Sequence, residues 1–270
     1  MDRLLAAMRG DPGVELDAAA LELATFEYPH LDPSPSLRIL DGIAAEIGGR
    51  AGVGADGATF VREANAVLFD EMGFRGNEAE YYDPRNSCLN AVLERRTGIP
   101  ITLSVVYMEV ARRLGRPVHG IALPGHFIAQ YDDGRYSTWL DPFRGGRLLG
   151  REHCHQLAKE SAGVDISADP EALRPASNHL NLVRMVNNLR AAYFRGERFD
   201  KVVETTDLLM RVYPAPDHYR IRGAANVRLR KLGEARKDLE RYLEASPDAG
   251  DRADVVKQLE AIHRRLATLN

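Results

Sequence analysis

The sequence predicts an α+β fold: a mainly helical first domain that carries a small antiparallel sheet, followed by an all-α region of helical repeats. Three observations support this class. Apolar residues recur at steps of three and four from Ile101 to Leu114, which is typical of a helix packed on a core. Two extended stretches flank Asp133-Gly134, a dipeptide that favours a hairpin turn. Beyond Leu180 the pattern is helical and repeats itself.

The composition excludes several classes of protein. The chain has 270 residues, of which 44% are hydrophobic and 28% charged, and this length suggests about two domains. No apolar run approaches the ~18 residues of a membrane helix, and the N-terminal apolar stretch is too short for a secretory signal. Only two cysteines are present, which excludes a disulfide scaffold and favours a cytoplasmic location. A net charge of −3 gives no general attraction to nucleic acid.

Charge and turn-forming residues divide the chain in two. Residues 1–180 contain 18 Lys and Arg against 26 Asp and Glu, a balance of −8, whereas residues 181–270 contain 18 against 13, a balance of +5. Small and turn-forming residues interrupt the periodicity from Ser161 to Pro170 and again from Pro175 to Asn178. We therefore predict a first domain over residues 1–165 and a repeat region over residues 178–270.

The C-terminal region contains two copies of one helical pattern. Phe199 precedes Pro214 by the same interval as Leu232 precedes Pro247, and the copies are 33 residues apart. This pattern resembles the tetratricopeptide repeat, a helical hairpin of about 34 residues that stacks on its neighbours, although Asn226 stands where a large aromatic residue is usual. Several basic residues form either a solvated helix face or a surface for an acidic partner: Arg220, Arg222, Arg228, Arg230 and Lys231.

The predicted hairpin places a histidine opposite an aspartate. With Asp133-Gly134 at the turn, Asp132 pairs with Arg135, so the numbers of paired residues sum to 267. His126 and Asp141 have the same sum, and this register sets them opposite each other with Cβ atoms about 4.5–5.5 Å apart. That distance suits a carboxylate that accepts a hydrogen bond from an imidazole and fixes its tautomer, although such a pair can also be structural.

Ser104 lies in the first turns of the Ile101–Leu114 helix, near the electropositive end that unpaired backbone N–H groups create. It is either a small residue that permits close packing on the sheet or a residue that faces a site. A helix of this kind, a strand with His126 and a neighbouring strand with Asp141-Pro142 resemble the transglutaminase-like arrangement. In that fold a cysteine at the helix start is activated by the histidine, which the aspartate orients.

The chain looks most like the SirB-type proteins, which join a transglutaminase-like domain to tetratricopeptide repeats. The resemblance spans nearly the whole chain and is carried by seven segments: Glu27–Pro29, Gly73–Asn77, Tyr81–Ser87, Gly98–Ser104, Arg112–Gly115, Leu123–Phe127 and Asp141–Phe143.

The catalytic pattern of that fold is incomplete here. No cysteine occupies Gly98–Ser104, where the resemblance places the nucleophile, and the equivalent position lies between Pro100 and Ser104. Ser104 is the nearest hydroxyl, but serine has no accessible anion near neutral pH and depends on a general base. Cys88 is interpreted as a packed thiol. The run His153-Cys154-His155 lacks matching ligands nearby, so we predict no metal and no cofactor.

Three more residues are predicted to line a cleft beside the histidine: Arg75, Asn77 and Trp139. Arg75 and Asn77 belong to a glycine-containing loop that lacks the strand and helix context of a phosphate loop. As an alternative, they tie this loop to Asp83 or Asn86.

These observations predict a transglutaminase-like protein without the usual catalytic cysteine, which binds a peptide or protein and is non-catalytic or weakly catalytic. One alternative is a hydrolase or acyltransferase that uses Ser104 as nucleophile, His126 as base and Asp141 to orient the ring. Another is an interaction scaffold built on the repeats. The expected partner is a protein or peptide, bound through the cleft or the repeats, with no role for nucleic acid or membrane.

Overall fold

A computed structural model describes residues 1–268 of the chain. Their contacts divide into two compact units, with the boundary between Met185 and Val186. The helices of the first unit are α1 (Asp2–Met8), α2 (Leu16–Leu23), α3 (Ser34–Ala51), α4 (Gly57–Asn65), α5 (Leu89–Arg95), α6 (Pro100–Arg113), α7 (Arg151–Ala162) and the beginning of α8 (Asn178–Arg195).

Two small sheets accompany these helices. In the first, β1 (Arg75–Gly76) pairs in parallel with β2 (Thr97–Gly98). The second is antiparallel in the order β3-β4-β5-β6, which are Val118–Ile121, Ile128–Asp132, Ser137–Asp141 and Arg147–Leu149. The α+β class with its small antiparallel sheet is therefore confirmed.

Helix α6 is the centre of the first unit. It begins at Pro100, where the missing N–H and fixed φ of proline suit a first helical position, and Thr102 Oγ1 accepts from the N–H of Ile99 at 3.1 Å. Every residue from Pro100 to Ala111 is buried, because α2, α3 and α5 pack on one side and β3 and β4 on the other. The single buried stripe predicted from the sequence is thus too narrow, and the helix is enclosed all round.

The hairpin register differs from the predicted one. Ala129 pairs with Leu140 and Asp132 with Ser137, so paired numbers sum to 269 rather than 267. Gly134 and Arg135 occupy the two central turn positions, since the N–H of Asp133 bonds the carbonyl of Tyr136 at 3.2 Å. Gly134 has φ +79° and Arg135 has no positive φ, as in a type II′ turn with glycine first. The predicted turn at Asp133-Gly134 is therefore one residue out of place.

The second unit is entirely helical among its described residues. After α8 follow α9 (Phe199–Met210), α10 (Pro216–Arg228), α11 (Leu232–Ala245) and α12 (Arg252–Ala267). The second helices of the two copies, α9 and α11, begin 33 residues apart as the sequence spacing requires. Asn226 donates to Asp238 Oδ2 at 3.3 Å, so a polar contact replaces the aromatic that the repeat pattern usually has. Within residues 1–268, no helix is long and apolar enough to cross a membrane.

Candidate functional site

His126 and Asp141 lie within hydrogen-bond distance of each other. His126 Nε2 is 3.0 Å from Asp141 Oδ2, and the two residues are 6% and 0% exposed. Because the carboxylate can only accept, the neutral ring carries its proton on Nε2 and leaves a lone pair on Nδ1. The arrangement fixes one tautomer and leaves Nδ1 as the ring nitrogen that can accept a proton or a hydrogen bond.

The pair forms through a diagonal contact rather than the direct one predicted. In the observed register Asp141 stands opposite Ile128, two residues beyond His126, and His126 itself precedes β4. A change of two in the register sum keeps every side chain on its face, and diagonal neighbours remain within reach of long side chains. The two residues therefore meet although the predicted register is wrong.

A tight turn presents His126 from the loop before β4. The N–H of His126 bonds the carbonyl of Leu123 at 3.3 Å, and Gly125 has φ +68°. A Cβ on Gly125 would lie 2.6 Å from the carbonyl oxygen of Ser161, so both conformation and space require glycine there.

Asp141 is held at the end of β5 by its own turn. Its Oδ1 accepts from the N–H of Phe143 at 3.1 Å, which caps the 3₁₀ turn Pro142–Arg144. Arg144 Nε lies 3.9 Å from Oδ2 and adds a cation beside the buried carboxylate. With both oxygens engaged, the carboxylate cannot rotate away from the imidazole.

Aromatic rings form one wall of the site. The ring of Phe143 meets His126 edge-on with centroids 5.9 Å apart, and Tyr81 lies 6.2 Å from Phe143. Burial raises the pKa of the Tyr81 hydroxyl above its usual value. Gly76 in β1 makes this packing possible, since a Cβ there would lie 2.5 Å from the Phe143 ring.

Arg184 is a site residue that the sequence did not reveal. Its guanidinium donates to the carbonyl of His126 at 2.7 Å and to that of Leu123 at 2.9 Å, and it lies 5.6 Å from the Phe127 ring centroid. Burial lowers its pKa, but the group remains a cation at neutral pH. Arg184 follows the segment that looked like a domain boundary, so nothing in the local pattern linked it to His126.

Two family models match this chain. Residues 36–187 match the family model described as the transglutaminase-like superfamily, and residues 189–260 match one for the tetratricopeptide repeat. The first match covers more than half of the chain. The chain belongs to the transglutaminase-like superfamily.

Curated relatives are consistent with this membership. A UPF0162 protein of Xylella fastidiosa is 36% identical over 243 residues, which cover 88% of this chain and 86% of that protein. A UPF0162 protein of Vibrio cholerae is 29% identical over 157 residues, with 58% and 57% covered. The F-box only protein 21 of Homo sapiens is 32% identical over 162 residues, 56% of this chain and 25% of that protein. The expected combination of a transglutaminase-like domain with tetratricopeptide repeats is confirmed.

The helix start that supplies the nucleophile in the transglutaminase-like fold is closed off in this chain. Ser104 is fully buried and its Oγ donates to the carbonyl of Pro100 at 2.9 Å, one turn earlier in α6. Thr102 Oγ1 donates to the carbonyl of Asn86 at 2.8 Å. Both hydroxyls therefore bond backbone carbonyls instead of facing solvent.

The two cysteines lie in the interior of the protein. Both are buried thiols outside any disulfide. Cys88 Sγ donates to the carbonyl of Pro84 at 3.5 Å, and burial raises the pKa of Cys154 to about 12. A thiolate is the reactive form of cysteine, and this shift disfavours the thiolate of Cys154.

The three predicted cleft residues occupy different places. Arg75 is exposed on β1, next to the Gly76 that contacts Phe143. Asn77 is tied into its loop: Nδ2 donates to Asn86 Oδ1 at 3.1 Å and Oδ1 accepts from the N–H of Glu80 at 3.0 Å. This is the alternative contact that the sequence left open.

Trp139 lies on β5 two residues before Asp141, where it pairs with Gln130 and Leu149. It lines a cavity whose wall includes neither His126 nor Asp141. Within residues 1–268, no group of three or more His, Cys, Asp or Glu side chains is placed to hold a metal ion.

Proposed function

We propose that this chain binds a peptide or protein segment at the His126–Asp141 site, as a non-catalytic or weakly catalytic member of the transglutaminase-like superfamily. One observation supports this proposal above the others. The oriented imidazole and its carboxylate are retained, while the only two cysteines of the chain are fully buried.

The chemistry of the site suits a peptide. With its proton on Nε2, His126 offers Nδ1 as an acceptor for a backbone or side-chain N–H. The rings of Phe143 and Tyr81 supply apolar area for a neighbouring side chain, and the exposed guanidinium of Arg75 supplies a cation at the edge. We infer that Arg184 keeps this site preformed by bonding the two carbonyls of the turn that carries His126.

The serine-based alternative receives no support from the position of Ser104. A nucleophile must reach both its base and a substrate, and this hydroxyl is enclosed in α6. We infer that Ser104 is a packing residue. A fluorophosphonate probe is therefore expected to leave the protein unlabelled.

The repeats provide a second surface for a protein partner. Three of the five basic residues singled out there form ion pairs within the unit: Arg220 with Asp251, Arg222 with Asp207 and Asp238, and Arg228 with Glu197. These pairs favour the solvated-face interpretation over an acidic partner, and a nucleic-acid partner is not part of the proposal. The small number of cysteines, two in the whole chain, favours a cytoplasmic protein.

A quantitative pull-down tests the proposal. Wild-type protein and the variants His126→Ala, Ser104→Ala and His30→Ala are immobilised in equal amounts and exposed to a lysate of the source organism. His30 is exposed and serves as the matched histidine control. We expect His126→Ala to capture at least tenfold less of each partner than wild type does. The other two variants are expected to capture the wild-type amount.

Thermal melts of all four proteins establish that each is folded. If His126→Ala is folded and captures the same partners as wild type, function does not lie at this site. Loss of partners from Ser104→Ala together with fluorophosphonate labelling would instead favour the serine-based enzyme.

A further inference from the structure

The cavity that Trp139 lines is polar and lies on one face of the antiparallel sheet. It has a volume of about 420 Å³. Its floor is a row of side chains across three strands, in which His119 pairs with Gln130 and Gln130 with Trp139. The remaining lining comes from Asp132, from Arg151 at the start of α7 and from the segment Pro170–Pro175. That segment is anchored to the sheet edge, since Pro175 bridges Ile121.

The charged groups of this cavity differ in whether a hydrogen bond or an opposite charge engages them. Arg174 is paired with Glu171, and Asp132 Oδ1 accepts from the N–H of Gly134 at 3.0 Å. Arg151 differs, because among the described residues no carboxylate pairs with its guanidinium, which lies 5.6 Å from the centroid of the Trp139 ring. A guanidinium on an aromatic face keeps its N–H donors available at the ring edge. Arg151 is thus a cation held in place without an anion.

Apolar groups stand next to this cation. Trp139, Leu173, Pro170 and Pro175 contribute apolar walls, while His119 and Gln130 add polar groups. The volume exceeds what one inorganic anion fills, and an isolated phosphate would leave the apolar walls uncovered. A peptide carboxylate beside an apolar side chain matches both parts of the lining.

We propose that this cavity binds a peptide carboxylate, with Arg151 as its cation and the adjoining apolar side chain packed against Trp139 and the two prolines. The carboxylate comes either from a peptide C-terminus or from an acidic side chain. This binding does not depend on His126 or on the function proposed for it.

The chain contains one tryptophan, so its fluorescence reports directly on the cavity. We propose titrating the full-length protein with acetyl-Ala-Phe-OH, acetyl-Asp-Phe-NH₂ and the uncharged acetyl-Ala-Phe-NH₂, with calorimetry as a second readout. The expected result is saturable binding of at least one carboxylate probe, at least tenfold tighter than the uncharged amide. The stronger of the two carboxylate probes identifies the source.

Variants assign the binding to Arg151. Arg151→Gln is expected to weaken the binding of the better probe at least tenfold. Arg147 is an exposed arginine on β6 outside the cavity. The variants Arg147→Gln and His126→Ala are expected to bind the probe as tightly as wild type. The proposal is overturned if neither carboxylate probe binds by either readout, or if the amide binds equally well. It also fails if Arg151→Gln binds like wild type, or if inorganic phosphate binds and the peptides do not.

Discussion

At the scale of single residues, the site is defined by what each oxygen and nitrogen of the His126–Asp141 pair bonds. Asp141 Oδ1 accepts from the N–H of Phe143 and Oδ2 accepts from His126 Nε2. The positions of the carboxylate and of the ring are therefore coupled. Removing the acceptor character of Oδ2 should therefore change the tautomer of His126 before it changes the fold.

Asp141→Asn tests this coupling. An asparagine can keep the bond to the N–H of Phe143 but presents an NH₂ donor to the ring, which favours a lone pair on Nε2 and the proton on Nδ1. We expect ¹⁵N NMR of the imidazole to show the Nε2–H tautomer in wild type and mainly the Nδ1–H tautomer in the variant. The exposed Asp132→Asn is the control, and an identical tautomer in all three proteins would contradict the assignment.

A second group of buried ionisable residues joins α2 to α6. Glu109 and Asp17 share Arg112 and Arg113: Glu109 Oε2 lies 2.8 Å from Arg112 and Asp17 Oδ2 lies 2.7 Å from Arg113. Burial and the nearby Asp17 raise the pKa of Glu109 and Arg112 lowers it, with a net value of about 7. The folded chain therefore holds this proton at pH values where the unfolded chain has released it.

The free energy of unfolding should fall with rising pH because of Glu109. In the unfolded chain a glutamate titrates near 4.3, so the stabilising contribution is complete below that pH and is lost as pH rises to about 7. Glu109→Gln removes the titration, and the wild-type curve should drop relative to it by up to about 3 kcal/mol between pH 4.5 and 7.5. Denaturant melts measure this, with the exposed Glu152→Gln as control; parallel curves for wild type and Glu109→Gln would be the contrary result.

At the scale of elements, the site depends on close contact between a short strand and a turn. The β1–β2 pair ties Arg75 and Gly76 to the residues just before α6, and the 3₁₀ turn Pro142–Arg144 packs on both β1 and α6. Gly76 is the point of closest approach, since its missing side chain leaves room for Phe143. A larger residue there would push the aromatic ring that His126 contacts.

Gly76→Ala should lower the free energy of unfolding by about 1–3 kcal/mol, the usual range for overpacking a core. Gly42→Ala is the matched control because it lies in α3 with nothing within 4 Å of a new Cβ. In a helix interior that change should stabilise by up to about 1 kcal/mol. Chemical denaturation separates the two expectations, and equal effects of the two substitutions would show that the Phe143 contact is not tight.

At the scale of the whole molecule, the chain consists of two compact units built by different rules. The first encloses α6 between helices and a sheet, and the second repeats one helical hairpin. In the repeats, a buried carboxylate stands among apolar residues: Asp238 accepts from the part-buried Arg222 at 2.6 and 2.9 Å and from Asn226 at 3.3 Å. Removing Asp238 takes an acceptor from Arg222 and Asn226, although Arg222 keeps its pair with Asp207.

Asp238→Ala is expected to destabilise the repeat unit by about 1–3 kcal/mol, because Arg222 and Asn226 lose hydrogen bonds to a buried carboxylate. Hydrogen exchange should report this as lost protection in α10 and α11. Asp254→Ala, an exposed carboxylate 4.0 Å from Lys257, should stay within about 0.5 kcal/mol of wild type. Unchanged protection in Asp238→Ala would mean that the network contributes little to the stability of the repeats.

The sequence by itself determined the elements and the chemistry available to this protein. Apolar periodicity located α6 to within one residue at each end, and the 33-residue spacing located the repeats. The family resemblance, read against Gly98–Ser104, showed that no cysteine stands where that fold has its nucleophile. The choice of His126 and Asp141 as partners also came from the sequence, because alternation along strands survives an error of two in the register sum. Patterns local to a few residues carry this information, since periodicity and turn chemistry act over short distances.

Only the tertiary structure decided the register, the fate of Ser104 and the role of Arg184. Asp133 Oδ1 accepts from the N–H groups of Arg135 and Tyr136 at 2.9 and 2.8 Å, which holds Asp133 at the position before the turn and leaves Gly134 as the first turn residue. Ser104 became a core residue because α6 is covered on every side. Arg184 reached the turn of His126 from a helix 58 residues later in the chain. Packing between segments distant in sequence sets the last two outcomes, and no short stretch of sequence records it. The register depends on which of two possible local turns forms, and the sequence pattern does not distinguish them.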